Sequence, residues 1–138
     1  MYIPLFVYGT LKRGFHNFDS ERAGNVREGK FHTMERFPLH ITGKWRSPVL
    51  INEPGQGHKV AGEIHDVTIE QLIWLDEFES THLSSGYDRI KIYISGEDGA
   101  LFKADAYVKP RARIDIIHGE PLEIYPQDAD YILPSERG

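Results

Sequence analysis

Two stretches of this 138-residue chain carry residue types whose spacing could do chemistry. The first is Phe6-Val7-Tyr8-Gly9-Thr10-Leu11-Lys12-Arg13-Gly14. An apolar run, Ile3 to Val7, reads as a buried strand. It breaks at Gly9 into a loop that reaches a second glycine at Gly14. Gly9 has no Cβ, so the backbone there can turn sharply or approach a ligand closely. Backbone N–H groups left free in such a loop can hold a carboxylate or an oxyanion. Strand ends punctuated by glycine also occur as plain turns, and the residues alone leave both readings open.

The second stretch is Leu75-Asp76-Glu77-Phe78-Glu79-Ser80. It closes a predicted helix that begins at Thr68, where Gln71 three residues later completes a capping box. Ile69, Leu72, Ile73 and Leu75 form an apolar stripe at helical spacing. Glu79 falls seven positions after Leu72 and so points almost the same way on a helix. Asp76 joins that face, whereas Glu77 points elsewhere. A carboxylate on a core-directed face loses hydration, which favours its neutral form and makes it a stronger base once ionised. If the helix instead stops at Asp76, these acids decorate a surface loop. Tyr87 follows shortly after. It shares a strand face with Arg89, Lys91 and Tyr93, either as a half-buried tyrosine with a satisfied hydroxyl or as a ligand contact.

The elements that must position these groups are legible from pattern. A first strand spans roughly Tyr2 to Tyr8. Phe15 to Lys30 is polar and broken by glycine, with room for a short helix near Asp19 to Ala23 capped by Asp19 or Ser20. Phe37 to Ile41 reads as a strand and Pro48 to Ile51 as a short buried segment, followed by a turn cluster at Asn52 to Gly57. Val60 to Val67 is another strand, interrupted by Gly62. After the helix and a loop at Thr81 to Gly86, Tyr87 to Ser95 alternates, with Ile90, Ile92 and Ile94 on one face. Leu101 to Val108 alternates again, with Phe102, Ala104, Ala106 and Val108 together, so the pair reads as a hairpin across Gly96 to Gly99. Several strands with one strong helix suggest a closed or strongly curved sheet with helices outside. From about Pro126 the tail is polar and irregular.

Composition narrows the function. Hydrophobic residues make up 40% and charged residues 27%, near the globular average, which argues against wholesale disorder. A formal net charge of −5 argues against nucleic acid, whose phosphates call for basic patches. No cysteine is present, which removes disulfides, thiolate nucleophiles and Cys-ligated zinc and fits a reducing compartment. No run approaches a membrane span and no signal peptide is visible, so a cytoplasmic protein is expected. The seven histidines lack metal-ligand spacing. Gly55, Gly57 and Gly62 do not make a dinucleotide fingerprint, and no serine sits in a nucleophile elbow.

The string Tyr-Gly-Thr-Leu-Lys-Arg-Gly after the first strand, followed later by Leu-Asp-Glu-Phe-Glu and Gly86-Tyr87-Asp88-Arg89, resembles the two signatures of the γ-glutamylcyclotransferase superfamily (AIG2-like). It is most similar to the branch that acts on γ-glutamylamines. Phe37 to Ile41, Pro48 to Leu50, Gly57 and Val60 to Ile64 follow that branch's pattern, so the resemblance covers most of residues 3 to 95. It weakens in Phe15 to Lys30 and after Val108. Many relatives carry Asn-His after the first loop, where this chain has His16-Asn17-Phe18.

The resemblance implies an α+β fold, a small mixed β-barrel flanked by helices, in one domain over residues 1–138. It implies an enzyme that closes a γ-glutamyl amine or amino acid into 5-oxoproline and releases the amine, by attack of the substrate's own α-amino nitrogen. Glu79 falls on the family's general acid/base, with Asp76 and Glu77 as flanking structural acids. The N–H groups of Gly9, Thr10 and Leu11 would hold the α-carboxylate or the oxyanion, and Tyr8 and Tyr87 would line the pocket. The partner is a small γ-glutamyl molecule, with no cofactor, metal, nucleic acid or membrane. Two alternatives stand beside this: a non-catalytic module that binds a small carboxylated metabolite, and an enzyme that removes a γ-glutamyl protecting group in a biosynthetic route. Neither the leaving amine nor the oligomeric state is readable, though the least matched region disfavours free glutathione.

Overall fold

The computed structural model describes residues 1–137. One sheet carries every strand: β1 (Ile3–Val7), β2 (Asn25–Val26), β3 (Phe31–Thr33), β4 (Leu39–Thr42), β5 (Ser47–Ile51), β6 (Ala61–Val67), β7 (Asp88–Gly96), β8 (Leu101–Lys109) and β9 (Ile117–Leu122). Five of them close into a barrel in the order β1-β6-β3-β7-β8 and back to β1. The closing β8–β1 contact is parallel and the other four are antiparallel, which makes the expected mixed barrel. β5, β4 and β9 extend it from β8, and β2 pairs with β6.

Period-two alternation decides which side chains fill the barrel. Phe6 from β1 and Tyr8 just beyond it, Ile92 and Ile94 from β7, and Ala104, Ala106 and Val108 from β8 share one interior cluster. The hairpin register sets Ile90 opposite Ala106 and Ile92 opposite Ala104. Pairing large residues with alanine keeps a small barrel filled without overpacking. Leu5 and Val7 point the other way, into a second cluster with Val67, Leu72, Leu75 and Tyr107. β1 is therefore buried on both faces, which explains its unbroken apolar run.

The helix, α1 (Ile69–Phe78), lies over that outer face. Its start is the predicted capping box: the Gln71 N–H donates to Thr68 Oγ1 (3.2 Å), and the Thr68 N–H donates to Gln71 Oε1 (2.9 Å). The buried stripe is narrower than the sequence suggested. Leu72 and Leu75 are 2% and 3% exposed, but Ile69 and Ile73 are 54% and 55% exposed. At about 100° per residue those two isoleucines fall to one side of the Leu72–Leu75 line. Glu79 falls on that line.

Two further expectations change, and the irregular tail gains contacts. Asp19 to Ala23 is a single turn rather than a helix: the Arg22 and Ala23 N–H groups donate to the Asp19 carbonyl, and the Glu21 N–H donates to Asp19 Oδ1. Gly62 does not interrupt β6, whose register with β1 runs through Ile64 and Glu63. The tail has no strand, but it is tied down. The Ile132 N–H donates to the Trp45 carbonyl (2.9 Å), Arg46 pairs with Asp130, and a short 3₁₀ turn covers Pro134–Glu136. Among the described residues no helix is long and apolar enough to cross a membrane.

Candidate active site

The edge of β8 that faces away from β7 is shared. Asp105 contacts Leu5 of β1, while Val108 and Lys109 contact Leu50 and Ile51 of β5. β1 and β5 must diverge between these points, and a cavity of about 460 Å³ opens there. That is a suitable size for a small metabolite. All six sequence-predicted site residues, Tyr8, Gly9, Thr10, Leu11, Glu79 and Tyr87, line it.

Tyr8 is 6% exposed, and its hydroxyl bridges the divergence. It donates to the Tyr107 carbonyl (2.6 Å) and accepts from the Leu50 N–H (3.2 Å), as if inserted into the β5–β8 ladder. Burial raises its pKa far above the ordinary tyrosine value. Its hydroxyl is thus committed to the backbone. The same holds for Tyr87, whose hydroxyl donates to the Pro48 carbonyl (2.9 Å) and whose pKa burial also raises strongly. The two tyrosines present ring surface to the cavity.

Beyond β1 the chain bends so that the Thr10 carbonyl accepts from the Asn17 N–H (2.8 Å) and the Gly9 carbonyl from the Lys12 N–H (3.1 Å). Among the described residues, the N–H groups of Gly9, Thr10 and Leu11 have no acceptor. Consecutive amides without an acceptor, on residues that line a cavity, are groups that can hold an anion. Gly9 is required for packing rather than for an unusual φ: a Cβ there would meet Pro48 Cγ at 2.7 Å. Lys12 does not face the cavity. It is 4% exposed and donates to the Tyr125 carbonyl (3.1 Å), fastening the loop to the tail.

Glu79 is the C-cap of α1. The next residue, Ser80, adopts the left-handed conformation (φ 57°). The Ser80 N–H donates to the Glu77 carbonyl (3.0 Å) and the Thr81 N–H to the Asp76 carbonyl (3.0 Å), which is a Schellman termination. The chain then doubles back, and the Tyr87 N–H donates to the Glu79 carbonyl (3.1 Å). Gly86 makes this return possible, because a Cβ there would lie 1.9 Å from the Ser80 carbonyl oxygen. The Glu79 carboxyl is half-buried with no ion pair or hydrogen bond among the described residues. Burial lifts its pKa to about 7, partly opposed by the positive charge of Lys109. A carboxyl poised there can both take and return a proton at neutral pH.

A second network aims the helix end. Arg89 Nε donates to Asp76 Oδ1 (2.8 Å), and Arg89 Nη1 donates to Asp105, which is 2% exposed. Lys91 also pairs with Asp105 (2.6 Å), and the Tyr107 hydroxyl donates to Asp76 (2.8 Å). Asp76 and Arg89 thus lock the last turn of α1 onto β8. Glu77 is exposed, as its helical position implied.

Sequence reasoning missed several wall residues. Lys109 ends β8, with its ammonium 4.5 Å from the Tyr87 ring centroid. Trp45, in the β4–β5 turn, and Pro48, in β5, also line the cavity. Asn17, Tyr131 and Arg137 form a chain: Asn17 Nδ2 donates to Thr10 Oγ1 (2.8 Å) and to the Tyr131 hydroxyl (3.0 Å), which also accepts from Arg137 Nη2 (3.1 Å). The tail had no periodicity to flag it. The alternation of β8 did carry a signal, since Tyr107 and Lys109 follow Asp105 on one face.

The family described as gamma-glutamyl cyclotransferase, AIG2-like, matches residues 5–131. A gamma-glutamylaminecyclotransferase of Bos taurus is 40% identical over 102 residues, which span 71% of this chain but only 61% of that protein. Gamma-glutamylaminecyclotransferase C of Danio rerio is 33% identical over 138 residues, 94% of this chain and 90% of its own length. The crystal structure of an AIG2-like protein from Mus musculus superposes with a TM-score of 0.80 at 29% identity, covering 99% of both chains.

Proposed function

Because the chain belongs to the gamma-glutamyl cyclotransferase, AIG2-like family, we propose that it converts a γ-glutamyl amine or γ-glutamyl amino acid to 5-oxoproline and a free amine. The observation that carries this is the Glu79 carboxyl, raised to about 7 and facing the same cavity as three unpaired amides. The substrate supplies its own nucleophile. The N–H groups of Gly9, Thr10 and Leu11 hold the α-carboxylate or the oxyanion that develops on the δ-carbonyl. Either role gains from donors fixed before the reaction begins. The ionised Glu79 takes a proton from the α-ammonium group, and the freed amine attacks the δ-carbonyl carbon. The carbon–nitrogen bond to the leaving amine then breaks as Glu79 returns the proton to that nitrogen, and the ring nitrogen gives up its second proton through Glu79 to the released amine, which departs as an ammonium ion. The rings of Tyr8 and Tyr87 hold the glutamyl chain folded toward ring closure. Such positioning can contribute up to roughly 10 kcal/mol of a cyclisation barrier.

The test is an incubation with γ-glutamyl-ε-lysine, γ-glutamyl-alanine and glutathione, read by mass spectrometry for 5-oxoproline. Release that falls by about 10²-fold or more in Glu79→Gln supports the assignment, since a general acid/base contributes roughly 10² to 10⁴. A variant that keeps most of its activity removes Glu79 from this role. Saturable binding without release favours a binding module instead.

A further inference from the structure

The cavity wall holds three ionic side chains, Glu79, Lys109 and Arg137. Their surroundings differ. Arg137 is well partnered: Nε donates to the Ile132 carbonyl (3.1 Å), Nη2 donates to the Tyr131 hydroxyl (3.1 Å), and the guanidinium lies over the rings of Trp45 and Tyr131. Lys109 is half-buried, rests over the Tyr87 ring, and makes no hydrogen bond or ion pair among the described residues. Its three donors are therefore free beside the cavity. Burial lowers its pKa, and Glu79 is the strongest influence in the other direction, while Arg113 and Asp115 act on it with opposite signs.

A charge count then decides what Lys109 lacks. This step rests on the cyclotransferase reading above. In the empty site, Glu79 is the counter-charge of Lys109. When the substrate's α-ammonium group reaches Glu79, that negative charge is matched by the substrate. The α-carboxylate offsets the α-ammonium, so the glutamyl head adds no net charge to the site. Lys109 and Arg137 then exceed Glu79 by one positive charge on the wall, and of the two cations it is Lys109 that has no hydrogen bond or ion pair among the described residues. The glutamyl head is fixed by the reaction, so an anion that removes the imbalance sits on the leaving amine. The geometry points to Lys109 as a specificity-determining residue whose ammonium takes a carboxylate carried by the leaving amine.

Two substrates of equal length isolate this contact. γ-Glutamyl-ε-lysine and γ-glutamyl-cadaverine differ in the leaving amine's carboxylate, so wild type, Lys109→Met and Lys109→Arg are compared on both by 5-oxoproline release. A hydrogen bond between charged groups predicts that wild type prefers the lysine compound by about tenfold or more in kcat/KM. The ratio should fall toward one in Lys109→Met, mostly through KM, and recover in part in Lys109→Arg. A wild-type ratio near one overturns the inference. So does a ratio that survives Lys109→Met, or a loss that is equal for both compounds, which would place Lys109 on the glutamyl half. Should the methionine variant not fold, Lys109→Gln takes its place, and a preference that survives Lys109→Gln also overturns the inference. Absence of 5-oxoproline from both compounds with wild type would instead overturn the cyclotransferase reading on which the inference stands.

Discussion

Glu79 concentrates both the chemistry and a stability cost in one carboxyl. Its pKa rises from the ordinary glutamate value to about 7 because folding strips water from the charged form. Folding therefore binds its proton more tightly than the unfolded chain does. The protonated form is compatible with the fold, and stability is lost as pH rises from the unfolded carboxylate range through about 7. Glu79→Gln removes this penalty. Thermal unfolding should show the variant more stable than wild type by about 1–3 kcal/mol at pH 8, the full shift being discounted for partial exposure, with the gap closing near pH 4. A variant that is equally or less stable at pH 8 would contradict the burial argument. The acid limb of the wild-type activity profile should have its midpoint near 7. Lys109→Met should move that limb upward, because the lysine charge favours the ionised carboxyl. Helical spacing from Leu72 made the direction of Glu79 readable from sequence. Its pKa was not, since that depends on the strands and loops that enclose it.

At the level of elements, the site depends on how α1 ends and on how β5 meets β8. The helix terminates with a serine in the left-handed region, which costs a residue with a Cβ roughly 1 kcal/mol. Ser80→Gly should raise stability by up to about 1 kcal/mol in denaturant unfolding, offset in part by the entropy of the unfolded glycine. Gly86→Ala should do the reverse and also displace Glu79, because its Cβ would collide with the Ser80 carbonyl. Activity should fall further than stability, and equal losses would show that the return loop does not position the carboxyl. Tyr8→Phe leaves the Leu50 N–H and the Tyr107 carbonyl without their bridge. Each orphaned buried group costs about 1–3 kcal/mol, so unfolding should be easier by at least about 2 kcal/mol in all. Much of this layer was visible in advance: the capping box, the hairpin and the β1 loop rest on local periodicity and turn residues. The exposed isoleucines of α1 and the single turn at Asp19 were not, because tertiary contacts set which part of an apolar stripe is covered.

At the scale of the whole molecule, the tail completes the cavity. Residues 131–137 are joined to the first loop through Asn17 and to the β4–β5 turn through Trp45. Removing residues 131–138 should leave the barrel folded by circular dichroism, since both hydrophobic clusters draw their buried members from Tyr125 and earlier positions. It should lower kcat/KM by roughly tenfold or more, the equivalent of about 1.4 kcal/mol of lost binding. Full activity after truncation would show that this wall is dispensable. The tail was read from sequence only as irregular, and that description is locally correct, because it forms neither strand nor α-helix.

From its residues alone the sequence determined a closed or strongly curved sheet and the order of its strong elements, which follow from side-chain period, capping and glycine placement acting over a few residues. The mixed barrel and the six residues expected at the site came from the family resemblance of its two motifs. Only the tertiary structure decided that β8 shares one edge between β1 and β5, that this divergence opens the cavity, and that Lys109, Asn17, Tyr131 and Arg137 meet there. Those contacts join residues up to 114 positions apart, as between Asn17 and Tyr131. No local pattern encodes such pairings. They are set when the barrel closes and each strand edge takes the partner that leaves the fewest backbone groups unpaired.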